Sequence, residues 1–260
     1  MPAVKTENEV RLQRELLDTQ AKLLRANAAV PVVIILSPLD PIGQTEEAAA
    51  ALAAIALNNE NLLKDDGVRR QRFEPIQLTT VDAVEGFAHR VEESEIPPPA
   101  LVHVISHADD TSAEFKIGKG LAVETLARLV GPCTHFLLSV CNGMNLKGEW
   151  LHNNTNAASV LSYKTTIWSQ DAIPIAREVY RCLCDDWRQP IATAVKSAEG
   201  LKGRKLLKET GKRKQVQLRR SLPFEDAVWA VSRDERFFRA LAEQRRTTMG
   251  APPSTTTSVL

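Results

Sequence analysis

The chain has 260 residues, room for one large domain or two small ones and enough to bury most of the surface its unfolded form exposes. Hydrophobic residues at 43% and charged residues at 25% are an ordinary globular composition. A net charge of +1, from 33 basic and 32 acidic residues, excludes a globally basic nucleic-acid binder and an acidic tail protein.

The four cysteines, at 133, 141, 182 and 184, form neither a CxxC pair nor a dense framework, which argues against a disulfide scaffold and a structural zinc site and for reduced thiols in the cytosol. No apolar run approaches the roughly 18 residues of a membrane helix, the start MPAVKTENEVRLQRELLDTQ has no apolar core of a secretory signal, and no internal repeat is found.

In chain order, residues 7–27 place leucines and a valine at mixed spacings of three and four among charges and read as a helix, packed on the domain or used for partner binding. The run 30–36 (VPVVIIL) is β-branched and continuous, as for a strand buried on both faces. A proline-containing loop, 37–43, leads to an Ala-rich helix over 46–63, ended by Asp65-Asp66-Gly67. Residues 72–78 (RFEPIQL) read as an edge strand because of Pro75. A helix over 79–93 starts at a capping Thr80 or Asp82. Strand 100–106 (ALVHVIS) follows three prolines, 113–120 reads as a small hairpin, and 121–130 as a helix closed by Gly131-Pro132. Strands are then expected at 134–140 (THFLLSV), 159–168 and 227–232, with helices at 172–187 and 190–209 and a tail at 247–260. Such alternation predicts an α/β fold with a mainly parallel central sheet and helices on both faces.

In such a sheet, sites form beyond the carboxyl ends of the strands. The loop after the first strand, SPLDPIG, has neither GxGxxG nor a P-loop, so a nucleotide-sensing reading has little support. The strand ALVHVIS runs into His107, and THFLLSV into Cys141, with 33 residues between them, enough for one crossover. If these strands are neighbours, an imidazole lies beside a thiol, the pairing that makes a thiolate near neutral pH and returns a proton to a leaving group. The turns Cys141-Asn142-Gly143 and His107-Ala108 offer backbone N–H groups for an oxyanion. Singly, a cysteine after an apolar strand is commonly a small core residue and a histidine there a surface hydrogen-bonding one. His103 and His135 fall inside strands, His89 on a helix and His152 on a polar loop, and all fit the site less well; Cys133, Cys182 and Cys184 read as packing residues.

LVHVISHADD and THFLLSVCNG resemble the His and Cys motifs of the caspase-like cysteine peptidases. ASVLSYKTTIWSQDAIPIAREVYRCLCDDWRQPIATAVKSAE and FEDAVWAVSRDE resemble the CHAT subgroup, relatives of separase, the similarity covering about residues 30–234. The resemblance implies a caspase-like three-layer sandwich over 29–236, after an N-terminal helix (1–28) and before a short helix and tail (237–260). It implies peptide-bond hydrolysis without metal or cofactor, with His107 as general acid/base, Cys141 as nucleophile, and the N–H groups of Ala108 and Cys141 as the oxyanion hole. Asp171, just after Trp168, would line a pocket for a basic P1 side chain; as a residue it reads equally as the N-cap of the following helix. Expected partners are a protein substrate and a regulatory protein. The family's glycine after the histidine is Ala108 here, and Asp109-Asp110 follow, which keeps a catalytically weak or inactive interaction module as the alternative.

The stretch 202–220 holds nine Lys/Arg and one acid. No aromatic is interleaved for base stacking, so a solvated helix end and exposed loop is expected rather than a nucleic-acid or membrane surface, with Arg213, Lys214, Arg219 and Arg220 as basic sites for cleavage.

Overall fold

The computed structural model describes residues 11–12, 15, 29–37, 43–62, 71–106, 114–117, 120–140, 144–164, 169–187, 206–208, 220–222 and 228–232. Its centre is β1 (Val30–Leu36), whose interior positions are all buried, as its β-branched run requires. β2 (Phe73–Leu78) pairs with β1 in parallel and forms one edge, where Pro75 withdraws a ladder donor at least cost. On the other side of β1 lie β3 (Leu101–Ile105), β6 (His135–Ser139) and β7 (Ser159–Tyr163), all parallel. β10 (Val228–Ser232) closes the opposite edge antiparallel to β7, giving the order β10-β7-β6-β3-β1-β2.

Alternation along each strand sorts side chains to two cores. Val33, Ile35, Val102, Val104, Phe136 and Leu138 face α2 (Val81–Glu92), α3 (Val123–Ala127) and α4 (Trp150–Asn154). Val32, Ile34, Leu101, Ile105, Leu137 and Leu161 face α1 (Gly43–Leu62) and α5 (Ser169–Asp186). The protein is therefore an α/β three-layer sandwich about a mainly parallel sheet. Among the described residues no helix is long and apolar enough to cross a membrane.

Local chemistry explains the boundaries. Thr80 caps α2, its hydroxyl accepting from the N–H of Ala83 at 3.2 Å. Glu92, in the last turn of α2, takes a two-pronged hydrogen bond from Arg128 just past α3, at 2.9 and 2.7 Å. β4 (Glu114–Phe115) and β5 (Leu121–Ala122) make the hairpin in the β3–β6 crossover. Gly120 turns it at φ +113°, and a Cβ there would collide with the Glu114 carboxylate. Gly131 is required by close approach instead: a Cβ would run into the Pro98 ring.

Three expectations are corrected. Leu121 and Ala122 pair with β4 rather than beginning a helix, so α3 is one short turn and a half. α5 starts at Ser169, with Pro174 inside it, so Asp171 sits in its first turn and is not the N-cap. Leu206–Lys208 form β8, antiparallel to β9 (Arg220–Leu222), where a helix was expected; the basic stretch thus ends in two strand arms, strand pairing having overridden the helix propensity of Leu and Lys. Of the N-terminal helix only Arg11, Leu12 and Glu15 are described, helical and exposed; the tail lies outside the described residues.

Phe136 is wholly buried on the α2/α3 face, so Phe136→Ala is expected to cost about 3–5 kcal/mol in urea unfolding, whereas Thr80→Ala costs about 1 kcal/mol. Equal midpoints for the two variants would contradict this core.

Candidate functional site

The chain passes from β1 outward to β2, then returns to the far side of β1 for β3 and continues to β6 and β7. The direction of winding reverses between β1 and β3, and the crevice beyond their carboxyl ends is where an open parallel sheet takes its ligand. Backbone bonds bind the three strand ends here: Ser37 N–H donates to Ile105 O at 3.2 Å, and Ser106 N–H to Ser139 O at 3.4 Å. Ser106 also donates its hydroxyl to Lys116 O at 3.1 Å, fastening the hairpin to the end of β3.

After β6, Met144–Glu149 form a π-helical turn, a rare form that recurs near functional sites. Its Lys147 is 1% exposed and holds its ammonium 5.8 Å from the ring centroid of Phe115 on β4. Crossover hairpin and post-β6 turn are thereby packed together.

His107, Ala108, Cys141 and Trp168 lie outside the described residues, as does the side chain of Asp171. What the structure supplies is their approach. β3 and β6 are parallel neighbours, with Ile105 opposite Ser139 in register. His107 is the second residue after Ile105, and Cys141 the second after Ser139.

Beneath these ends lies a buried polar cluster. His103 on β3 and Glu47 on α1 are 0% and 3% exposed, with His103 Nε2 3.1 Å from Glu47 Oε1. The same Nε2 is 3.1 Å from Ser139 Oγ, and Nδ1 is 3.2 Å from the hydroxyl of Tyr180 on α5. Ser139 donates its hydroxyl to Glu47 Oε1 at 2.6 Å. One assignment satisfies every proton. Tyr180 O–H donates to Nδ1; Nε2–H is shared between the carboxylate and the serine oxygen; the serine proton goes to the carboxylate.

Ser, His and Glu are the residue types of a hydrolase triad, but the arrangement is not one. A triad places the imidazole between hydroxyl and carboxylate, one ring nitrogen to each. Here both partners meet Nε2, and the hydroxyl proton is held by the carboxylate rather than by the imidazole. The cluster joins two helices to two strands.

Burial first, then the charge of Glu47, raises the Tyr180 hydroxyl well above its ordinary value near 10 and keeps it a donor. Cys182, on the same helix, is raised first by burial, its Arg181 neighbour pulling the other way, so it is a poor thiolate. Cys133 is buried before β6. His135, at the other end of β6, donates from Nε2 to Trp187 O at 2.8 Å and has Nδ1 2.7 Å from Ser159 Oγ, contacts that tie the end of α5 to the sheet. Among the described residues no group of three or more His, Cys, Asp or Glu is placed to hold a metal ion.

No protein-family model matches the chain, and no curated protein matches it.

Glu47, Ser139 and Tyr180 were not singled out by sequence, and His103 was set aside as a strand residue. The available signal was the imidazole itself: a polar group in the middle of LVHVI, a fully buried strand, must have a buried partner.

Folded Tyr180 keeps its proton where an unfolded tyrosine loses one, so its share of stability is intact below pH 10 and declines as pH rises above that value. The slope is at most about 1.4 kcal/mol per pH unit. Denaturation between pH 8 and 11.5 is expected to show a steeper loss in wild type than in Tyr180→Phe; parallel curves would contradict the buried hydroxyl.

Proposed function

We propose that the chain is a cysteine endopeptidase of the CHAT, caspase-like type, working in the cytosol on a protein substrate under control of a regulatory protein partner. The observation that carries this reading is the parallel pairing of β3 with β6 in the register Ile105–Ser139. It brings the chain to adjacent strand ends two residues before each candidate, beside the reversal of winding between β1 and β3 where such folds bind ligands. The layered α/β architecture agrees with the one the resemblance implies.

In this reading His107 takes the thiol proton of Cys141. The thiolate attacks the scissile carbonyl carbon, and the N–H groups of Ala108 and Cys141 hold the resulting oxyanion. Collapse breaks the C–N bond, and the imidazolium gives its proton to the departing amine. Water, deprotonated by His107, then attacks the thioester; the carboxylic product leaves and the thiol is restored. No cofactor enters these steps. Asp171, in the first turn of α5, and Trp168 before that helix would form the pocket for a basic P1 residue, a carboxylate meeting Arg or Lys. Cys182 serves as a natural control, because its environment opposes the thiolate that the mechanism needs.

Iodoacetamide labelling followed residue by residue tests the pair. Cys141 is expected to react fastest of the four cysteines, to stay reactive below pH 7, and to slow at least tenfold in His107→Ala, in line with the contribution of a positioned base. A Cys141 rate no higher than that of Cys184 in wild type would leave an interaction module as the better reading.

A further inference from the structure

We propose that Glu47 is a positioning residue for this Cys–His pair, acting through Ser139 and His103; the inference rests on the peptidase reading above. Glu47 comes from α1, outside the sheet, and its Oε1 receives both the hydroxyl proton of Ser139 at 2.6 Å and His103 Nε2 at 3.1 Å. Ser139 is the last residue of β6, and its carbonyl accepts the N–H of Ser106, the residue just before His107. One residue is thus pinned twice, by its side chain to α1 and by its backbone to the neighbouring strand. From that point the chain has only Val140, wholly buried, before Cys141. His103 extends the same hold to β3, and Tyr180 braces the imidazole from α5.

The chemistry of the cluster argues for a role beyond cohesion. A carboxylate and an imidazole taken out of water cost more than well-packed apolar groups of the same volume. The apolar residues Ile34, Ile105 and Leu137 on the same face show that such packing is available there. The cluster also lies at the strand ends, where a small change of direction matters most: misplacement of a catalytic group by about 1 Å can cost 100-fold in rate. Supporting groups whose own rotamers are locked by buried hydrogen bonds are the usual means of preventing it.

The test is a double-mutant cycle on the full chain, with iodoacetamide at pH 7 as the probe and the Cys141 labelling rate as the readout. Glu47→Gln keeps the size of the side chain and removes its charge. It is expected to slow Cys141 about tenfold when His107 is present and less than twofold in His107→Ala, because positioning matters only where there is a base to position. Buried Cys133 reports whether the fold has opened. Should Cys133 in Glu47→Gln react as fast as Cys182, Ser139→Ala decides by the same cycle, with a fall that again depends on His107. No change in Cys141, or equal falls in both backgrounds, would overturn the role of Glu47 and leave the peptidase reading standing. A wild-type Cys141 rate indifferent to His107→Ala would overturn the peptidase reading, and this inference with it.

Discussion

A carboxylate buried between a helix and a sheet has to be met by donors, and this requirement organises the centre of the molecule. Glu47 cannot leave water without partners, and it finds them on two different strands: the hydroxyl of Ser139 and the Nε2–H of His103. His103 in turn demands a donor for Nδ1, which Tyr180 provides from α5. Three buried polar side chains thereby fix the mutual placement of α1, β3 and β6, and a fourth brings in α5. Apolar burial alone is non-directional and would tolerate sliding of a helix over the sheet; the hydrogen-bonded quartet has one arrangement in which all its protons are placed.

The same quartet connects fold to chemistry. The parallel sheet brings β3 and β6 side by side, next to the reversal of winding between β1 and β3. The quartet sits immediately below the carboxyl ends of these two strands, and Ser139 belongs to both: a core side chain by its hydroxyl and a strand terminus by its backbone. On the opposite face the hairpin and the turn after β6 are held by Phe115 and Lys147. Both layers thus meet the described ends of β3 and β6, two residues short of the proposed histidine and cysteine.

Much of the frame could be read from sequence because its signals are local. VPVVIIL, LVHVI and HFLLS are short apolar runs, and Pro75 marked an edge. Thr80 announced a cap that the structure contains. The failures were also local choices, made where tertiary pairing outweighs propensity. Leu121 is as good a helix former as strand former until Phe115 lies opposite it, and Leu206–Lys208 carry no strand signature apart from their pairing with Arg220–Leu222. The expected start of α5 at residue 172, with Asp171 as a possible N-cap, fell three residues late, because the helix begins at Ser169 and takes Pro174 into its interior. The buried quartet was illegible for a different reason. Glu47 and His103 are 56 positions apart, and Glu47 adjoins Glu46, an ordinary solvent-facing acid, ahead of an alanine run that gives no hint which of the two turns inward. Sequence motifs mark the strand ends, whereas the supporting polar groups lie in the strand interior, where only a lone imidazole in LVHVI hints at them.

The most direct test of the account is covalent capture by a peptidyl acyloxymethyl ketone with arginine at P1, read by intact mass and peptide mapping. The account predicts a single adduct, on Cys141, formed in wild type and lost in His107→Ala. An adduct on Cys182 or Cys184, or equal capture by a reagent with aspartate at P1, would contradict it.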